Sequence, residues 1–154
     1  MKRILLVTAL LTTTAAFAGN HAYGPFPAEY VEECASCHVA YPPQLLTAGG
    51  WQRVMTQLDK HYGVDASLNA KSRTTIADFL QRTASTRDKH APTEASGRMT
   101  NTTWFIREHW PTPPAKISFA DCAACHTVAE KGDYSERSLK LPAGLRRNRD
   151  RDRD

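Results

Sequence analysis

The chain has 154 residues, with 20 Lys and Arg against 16 Asp and Glu, and four Cys. That length excludes a large multidomain architecture. The positive balance does not make a nucleic-acid surface either: Lys2 and Arg3 sit in an expected leader, five Arg and three Asp crowd into 146–154, and residues 19–145 carry 13 charges of each sign.

Met1-Lys2-Arg3 is a basic head, Ile4 to Leu11 an apolar run, and Ala16-Phe17-Ala18 the small-x-small form that signal peptidase accepts. The expectation is a signal peptide over 1–18, cleaved after Ala18. The apolar run is shorter than the ~20 residues a membrane span needs, and Thr12 to Thr14 interrupt it. The mature protein is expected to be periplasmic and not membrane-spanning.

Gly19 to Pro25 reads as flexible. Pro27 opens a helix, with Glu29, Glu32 and Glu33 favourable in its first turns, that runs into Cys34-Ala-Ser-Cys37-His38 and stops at Tyr41-Pro42-Pro43. Trp51 to Tyr62 reads as an amphipathic helix. Trp51, Val54, Met55 and Leu58 form its apolar stripe, His61 continues the stripe, and Gly63 caps the end. Another helix starts near Asn69, with Ile76, Phe79 and Leu80 inward. Thr83 to Gly97 reads as a linker or exposed loop. Thr102 or Thr103 caps a short helix, Trp104 to His109, closed by Pro111, Pro113 and Pro114. Ser118 and Asp121 resemble a capping box opening the helix of Cys122-Ala-Ala-Cys125-His126. Beyond Tyr134 the chain reads as extended, and the Arg-Asp tail, 146–154, as disordered. No strand alternation of useful length appears, so the fold class is mainly α: short helices and long loops.

The duplicated Cys-x-x-Cys-His carries the chemistry. Two thiols three positions apart on a turn reach the two vinyl groups of one porphyrin and form thioethers, and the following His lies under the iron. The pattern predicts two covalent haem c groups, on Cys34 and Cys37 and on Cys122 and Cys125, with His38 and His126 as proximal ligands. A single zinc site made from all four Cys, or two redox dithiols or disulfides, are the competing readings. Haem also fits a small chain that needs help to complete a core, and four propionates would leave the holoprotein body acidic.

Each iron needs a sixth ligand or a vacancy. Met55 reads as core, Met99 lies in a polar stretch, and His21 and His90 read as solvated. His61 and His109 sit on apolar helix faces, and with two irons to ligate they are the expected distal ligands. Imidazole on both sides gives a low-spin centre of lower potential than His/Met ligation. Chain proximity pairs His61 with His38 and His109 with His126; a crossed arrangement stays open.

Several segments together resemble the small bacterial dihaem cytochrome c family. They are Glu33-Cys34 to His38 with Val39-Ala40-Tyr41-Pro42-Pro43-Gln44-Leu45-Leu46; Trp51-Gln52-Arg53 leading to His61-Tyr62-Gly63; Thr103-Trp104-Phe105-Ile106-Arg107-Glu108-His109; Asp121-Cys122 to His126; and Gly132-Asp133-Tyr134-Ser135-Glu136. The resemblance implies two small haem domains, expected here as 19–88 and 89–145. It also implies bis-His ligation, low-potential electron transfer, and distal ligands at His61 and His109. Implied partners are redox proteins: for some members an oxygen-binding high-spin monohaem cytochrome c, for others membrane b-type cytochromes. The expected protein is an electron carrier and not an enzyme. The rival is a small haem peroxidase or reductase, which would need one iron with a displaceable distal ligand.

Overall fold

A computed structural model of the chain describes residues 21–95, 97–109 and 117–143. The expected signal peptide, the Pro111 to Pro114 stop and the Arg-Asp tail lie outside them. The described fold is mainly helical: α1 (Ala28–Cys34), α2 (Ala48–Thr56), α3 (Ala70–Thr83) and α4 (Thr103–Glu108), joined by loops and single 3-10 turns. Extended segments among these residues meet only through isolated bridges, such as Thr47 with Ser85 and His126 with Leu139. No described helix is long and apolar enough to cross a membrane.

Pro27 immediately precedes α1, and Glu29 lies in the first turn. The helix stops at Cys34, well short of the expected Tyr41-Pro42-Pro43. The Ser36 hydroxyl donates to the Glu33 carbonyl at 3.4 Å, the acceptor that the Cys37 N–H would need to continue the helix. α2 differs from its expectation at both ends. It begins at Ala48, because the Thr47 hydroxyl accepts from Gly50 N. It ends at Thr56, whose hydroxyl donates to the Arg53 carbonyl at 3.0 Å and takes the acceptor of the next turn. The apolar stripe therefore does not carry His61. A separate 3-10 turn, Leu58–Lys60, delivers that residue, and Tyr62 (φ 50) and Gly63 (φ 107) then bend the chain away in left-handed conformation. Gly63 follows this turn and caps no α-helix.

α3 matches its expectation. Asn69 caps it through Ser72 N at 2.9 Å, and Ile76 and Leu80 are each 1% exposed, worth roughly 1.5–3 kcal/mol apiece on burial. α2 packs against α3, and Trp51 ties α2 to the turn at Pro43–Leu45 by donating from Nε1 to the Pro43 carbonyl at 2.7 Å. Gly50 lets Pro92 pack on α2, since a Cβ there would meet the proline ring at 3.1 Å. Met55 is buried in the same core. Met55→Leu should therefore cost less than about 1.5 kcal/mol in urea unfolding and leave the ferric spin state unchanged; a new high-spin signal would place Met55 at an iron instead.

The stretch after α3 is not an exposed linker. Ser85 N donates to the Leu46 carbonyl at 2.8 Å and Thr47 N to the His90 carbonyl at 3.3 Å. His90 is 7% exposed and stacks on Trp104 at 4.8 Å, which corrects its reading as solvated. Met99 and Phe105 join the core formed by Tyr30, Trp51 and Leu80. Thr102 caps α4 through Phe105 N at 3.1 Å. The second Cys-x-x-Cys-His opens not on an α-helix but on one 3-10 turn, Cys122–Ala124. Its cap is Asp121, which accepts from Ala124 N; Ser118 accepts from Ala120 N instead. The segment after Tyr134 includes a further 3-10 turn, Glu136–Ser138. Residues 21–24 are held and not loose. Tyr23 N donates to the Gly132 carbonyl at 2.9 Å and Tyr134 N to the His21 carbonyl at 3.0 Å. Gly132 (φ 76) permits this approach, since a Cβ there would lie 2.7 Å from Gly24 N.

Candidate functional site

The four motif and distal histidines are brought together in two pairs. His38 faces His61 with ring centroids 6.2 Å apart and planes inclined by 27°. His109 faces His126 at 6.3 Å and 68°. An imidazole nitrogen lies about 1 Å from its ring centroid and about 2 Å from a bound transition metal, so two imidazoles on opposite sides of one metal put their centroids about 6 Å apart. Both pairs have that separation. They do not hydrogen-bond to each other, and nothing else in the fold calls for two imidazoles at this spacing.

Local structure sets each ring. The His38 Nδ1–H donates to the Val39 carbonyl at 2.8 Å, and the His109 Nδ1–H to the Phe105 carbonyl at 2.9 Å. Donation from Nδ1 selects the tautomer whose Nε2 keeps a lone pair, the form a metal ligand needs. Tyr41 stacks on His38 at 4.5 Å, and Phe105 on His109 at 3.9 Å, each with an interplanar angle of 11°. Phe119 meets His109 edge-on at 6.0 Å. Tyr62 lies 4.7 Å from His61, with the Arg98 guanidinium 4.0 Å above the Tyr62 ring. His126 is anchored by its own N–H to the Cys122 carbonyl at 2.8 Å.

Burial favours the neutral form of His61, His109 and His126. Burial lowers the His109 pKa, partly offset by the Phe105 carbonyl. Burial, then His38 and Arg98, lower that of His61. Burial, then His109 and His21, depress His126 to about 4. Burial, with Glu33 beside it, pushes the Cys34 thiol up to about 11; burial and Asp121 push Cys122 up to about 12. Among the described residues no three His, Cys, Asp or Glu side chains converge to hold a metal by themselves. A porphyrin, which brings four of its own nitrogens to iron, asks the protein for two ligands at most.

Two buried polar atoms sharpen the fit. His126 Nδ1 and Tyr134 Oη are enclosed and have no hydrogen-bond partner, an imbalance that calls for a missing partner. Tyr134 lies 5.2 Å from the His126 ring, and burial holds its phenol protonated. A propionate-bearing group at this site could accept from the Tyr134 hydroxyl. All four cysteines are free, and each pair directly precedes its motif histidine. His21 is exposed, and His90 is spent on Trp104 and on the Leu45 carbonyl at 3.4 Å. Tyr41, Phe119 and Tyr134 are the flanking residues that sequence reasoning passed over. Tyr41 and Tyr134 could have been flagged, since each lies inside a segment that carries the resemblance noted above; Phe119 carries no local signal.

The sequence model of the dihaem cytochrome c family matches residues 30–134. Among solved structures, DHC purified from Rhodobacter sphaeroides is 36% identical, with 69% of this chain and 95% of that one covered at a TM-score of 0.59. A diheme cytochrome type c from Shewanella baltica OS155 is 33% identical, with coverage of 75% and 93% and a TM-score of 0.63. A diheme cytochrome c from Rhodobacter sphaeroides is 34% identical, with coverage of 69% and 94% and a TM-score of 0.62. No curated protein matches the chain.

Proposed function

The chain belongs to the dihaem cytochrome c family, a family of electron carriers with two covalent haem c groups, and from that premise we propose that it is a periplasmic, low-potential electron carrier with two bis-His low-spin haems. In this reading Cys34 and Cys37 hold the first haem between His38 and His61. Cys122 and Cys125 hold the second between His126 and His109. Each haem, when bound, supplies a one-electron ferric–ferrous couple. The protein's part is to attach it, to present two neutral imidazoles, and to keep both axial positions filled so that no substrate enters.

The observation that carries the reading is the pair of facing imidazoles, 6.2 and 6.3 Å apart. The peroxidase or reductase alternative needs an open or displaceable axial position, and an imidazole facing each motif histidine favours the carrier over an open one. Imidazole in place of methionine lowers the potential, which suits delivery of electrons to a high-spin monohaem cytochrome c or exchange with a membrane b-type cytochrome. Residues 1–18 act as the export signal, and 19–88 and 89–145 as the two haem-bearing halves.

Electron paramagnetic resonance of the ferric holoprotein tests this. Nearly parallel imidazoles split the iron d orbitals strongly, and nearly perpendicular ones leave two of them close in energy. With planes at 27° and 68°, two distinct low-spin signals are expected, one rhombic and one strongly axial with a larger principal g value. A high-spin component, or carbon monoxide binding to the reduced wild-type protein, would overturn the bis-His reading and favour the enzyme.

A further inference from the structure

Tyr41 has no part in attaching or ligating haem, yet it is held at three points. It precedes Pro42, which restricts its backbone to extended conformation, and the side chains of Pro42 and Pro43 are fully buried. The Tyr30 hydroxyl donates to its carbonyl at 2.6 Å. Its ring lies flat on the His38 imidazole at 4.5 Å and 11°. Its own hydroxyl donates at 2.6 Å to the carbonyl of Ala120, 79 residues further along. Ala120 adjoins Asp121, the residue that caps the Cys122–Ala124 turn.

We propose that Tyr41 is a positioning residue that fixes the plane of the His38 imidazole and ties it to the second Cys-x-x-Cys-His motif. The inference rests on the reading of His38 as an iron ligand. An imidazole on a metal is free to turn about the metal–nitrogen bond unless something else holds it. The Val39 carbonyl constrains His38 at one edge, and the Tyr41 face blocks rotation out of plane. The ring that does the blocking is itself pinned by its hydroxyl to the other half of the molecule. Stacking alone would need only phenylalanine. The hydroxyl reaches a backbone carbonyl outside any helix, beside the cysteine of the second site, so the orientation of one axial ligand is coupled to the placement of the other motif.

The test compares the wild-type holoprotein with Tyr41→Phe and Tyr41→Leu by electron paramagnetic resonance and amide hydrogen exchange. The signal lost in His61→Ala identifies the N-terminal haem. Tyr41→Leu should shift the largest g value of that haem and leave the other signal in place. Tyr41→Phe keeps the ring but unpins it, and should move the same g value in the same direction by less than Tyr41→Leu does; a Tyr41→Phe spectrum identical to wild type overturns the coupling. In both variants the Cys125 and His126 amides should exchange about fivefold faster, the factor that one net hydrogen bond is worth. An unmoved N-terminal signal in Tyr41→Leu overturns the orienting role, as does an equal shift of both signals, which would mean general loosening. Unchanged exchange in Tyr41→Phe overturns the tether, and this variant decides that question even if Tyr41→Leu does not mature. A wild-type protein without bis-His signals would instead remove the ligand reading beneath both.

Discussion

Exported protein carrying Cys34→Ser together with Cys37→Ser is expected to hold one covalent haem where the wild type holds two. Intact-mass measurement should give the mature wild-type chain beginning at Gly19 plus two haems, and the double variant short by one haem. Quantitation of haem released by denaturation should show noncovalent haem at most at the first site. The expectation follows from local chemistry. Each porphyrin is bonded by the two thiols of its own motif, and the second motif is 84 or more residues away in sequence, on a turn of its own capped by Asp121. The folding cost should be large as well. Whatever binds only the native state stabilises it, and the space between His38 and His61, beside Tyr41 and Tyr62, would go unfilled without the haem. Thermal unfolding of the variant should therefore fall by many degrees. A wild-type protein that carries zinc, or one haem only, would refute the assignment of both motifs.

What the sequence discloses about this molecule follows the range over which each interaction acts. The thioether chemistry is confined to five residues, so Cys34 to His38 and Cys122 to His126 are legible on sight. α3 is legible because its cap, Asn69, and its inward residues, Ile76 and Leu80, all lie within one element. α2 is half legible. Its stripe marks Trp51 and Met55 correctly, but the start is hidden by Gly49 and Gly50, poor helix formers, of which Gly50 lies under Pro92. Its end is set by a hydroxyl, that of Thr56, taking a backbone acceptor, and periodicity does not register that competition. His61 extends a helical stripe on paper, whereas a 3-10 turn and the left-handed Tyr62 deliver it opposite His38. His90 was misjudged because Asp88, Lys89 and Pro92 make its surroundings look wet, while its partners, Trp104 and the Leu45 carbonyl, are distant in sequence. The same holds for Tyr41, whose second partner is Ala120.

Removing the distal imidazoles one at a time should change the spin state of one haem each, and combining this with the cysteine variants decides which imidazole serves which iron. In the Cys34→Ser, Cys37→Ser background the single remaining haem sits on Cys122 and Cys125. Adding His109→Ala should convert it from low-spin and six-coordinate to high-spin and five-coordinate in the ferric state, and open it to carbon monoxide when reduced. Adding His61→Ala instead should leave it low-spin. The reason is distance: His109 lies 6.3 Å from His126 and His61 lies 6.2 Å from His38, each about the separation that one shared metal imposes. His90 is not poised to substitute, because it is buried against Trp104 and bonded to the Leu45 carbonyl. The effect on affinity for carbon monoxide should be nearly all or none, since a vacant site replaces an occupied one. The potential of the opened haem should also rise relative to its bis-His parent, as a strong nitrogen donor is lost from the ferric iron. If His61→Ala, and not His109→Ala, opens the haem on Cys122 and Cys125, the axial ligands cross between the halves and the uncrossed pairing is wrong.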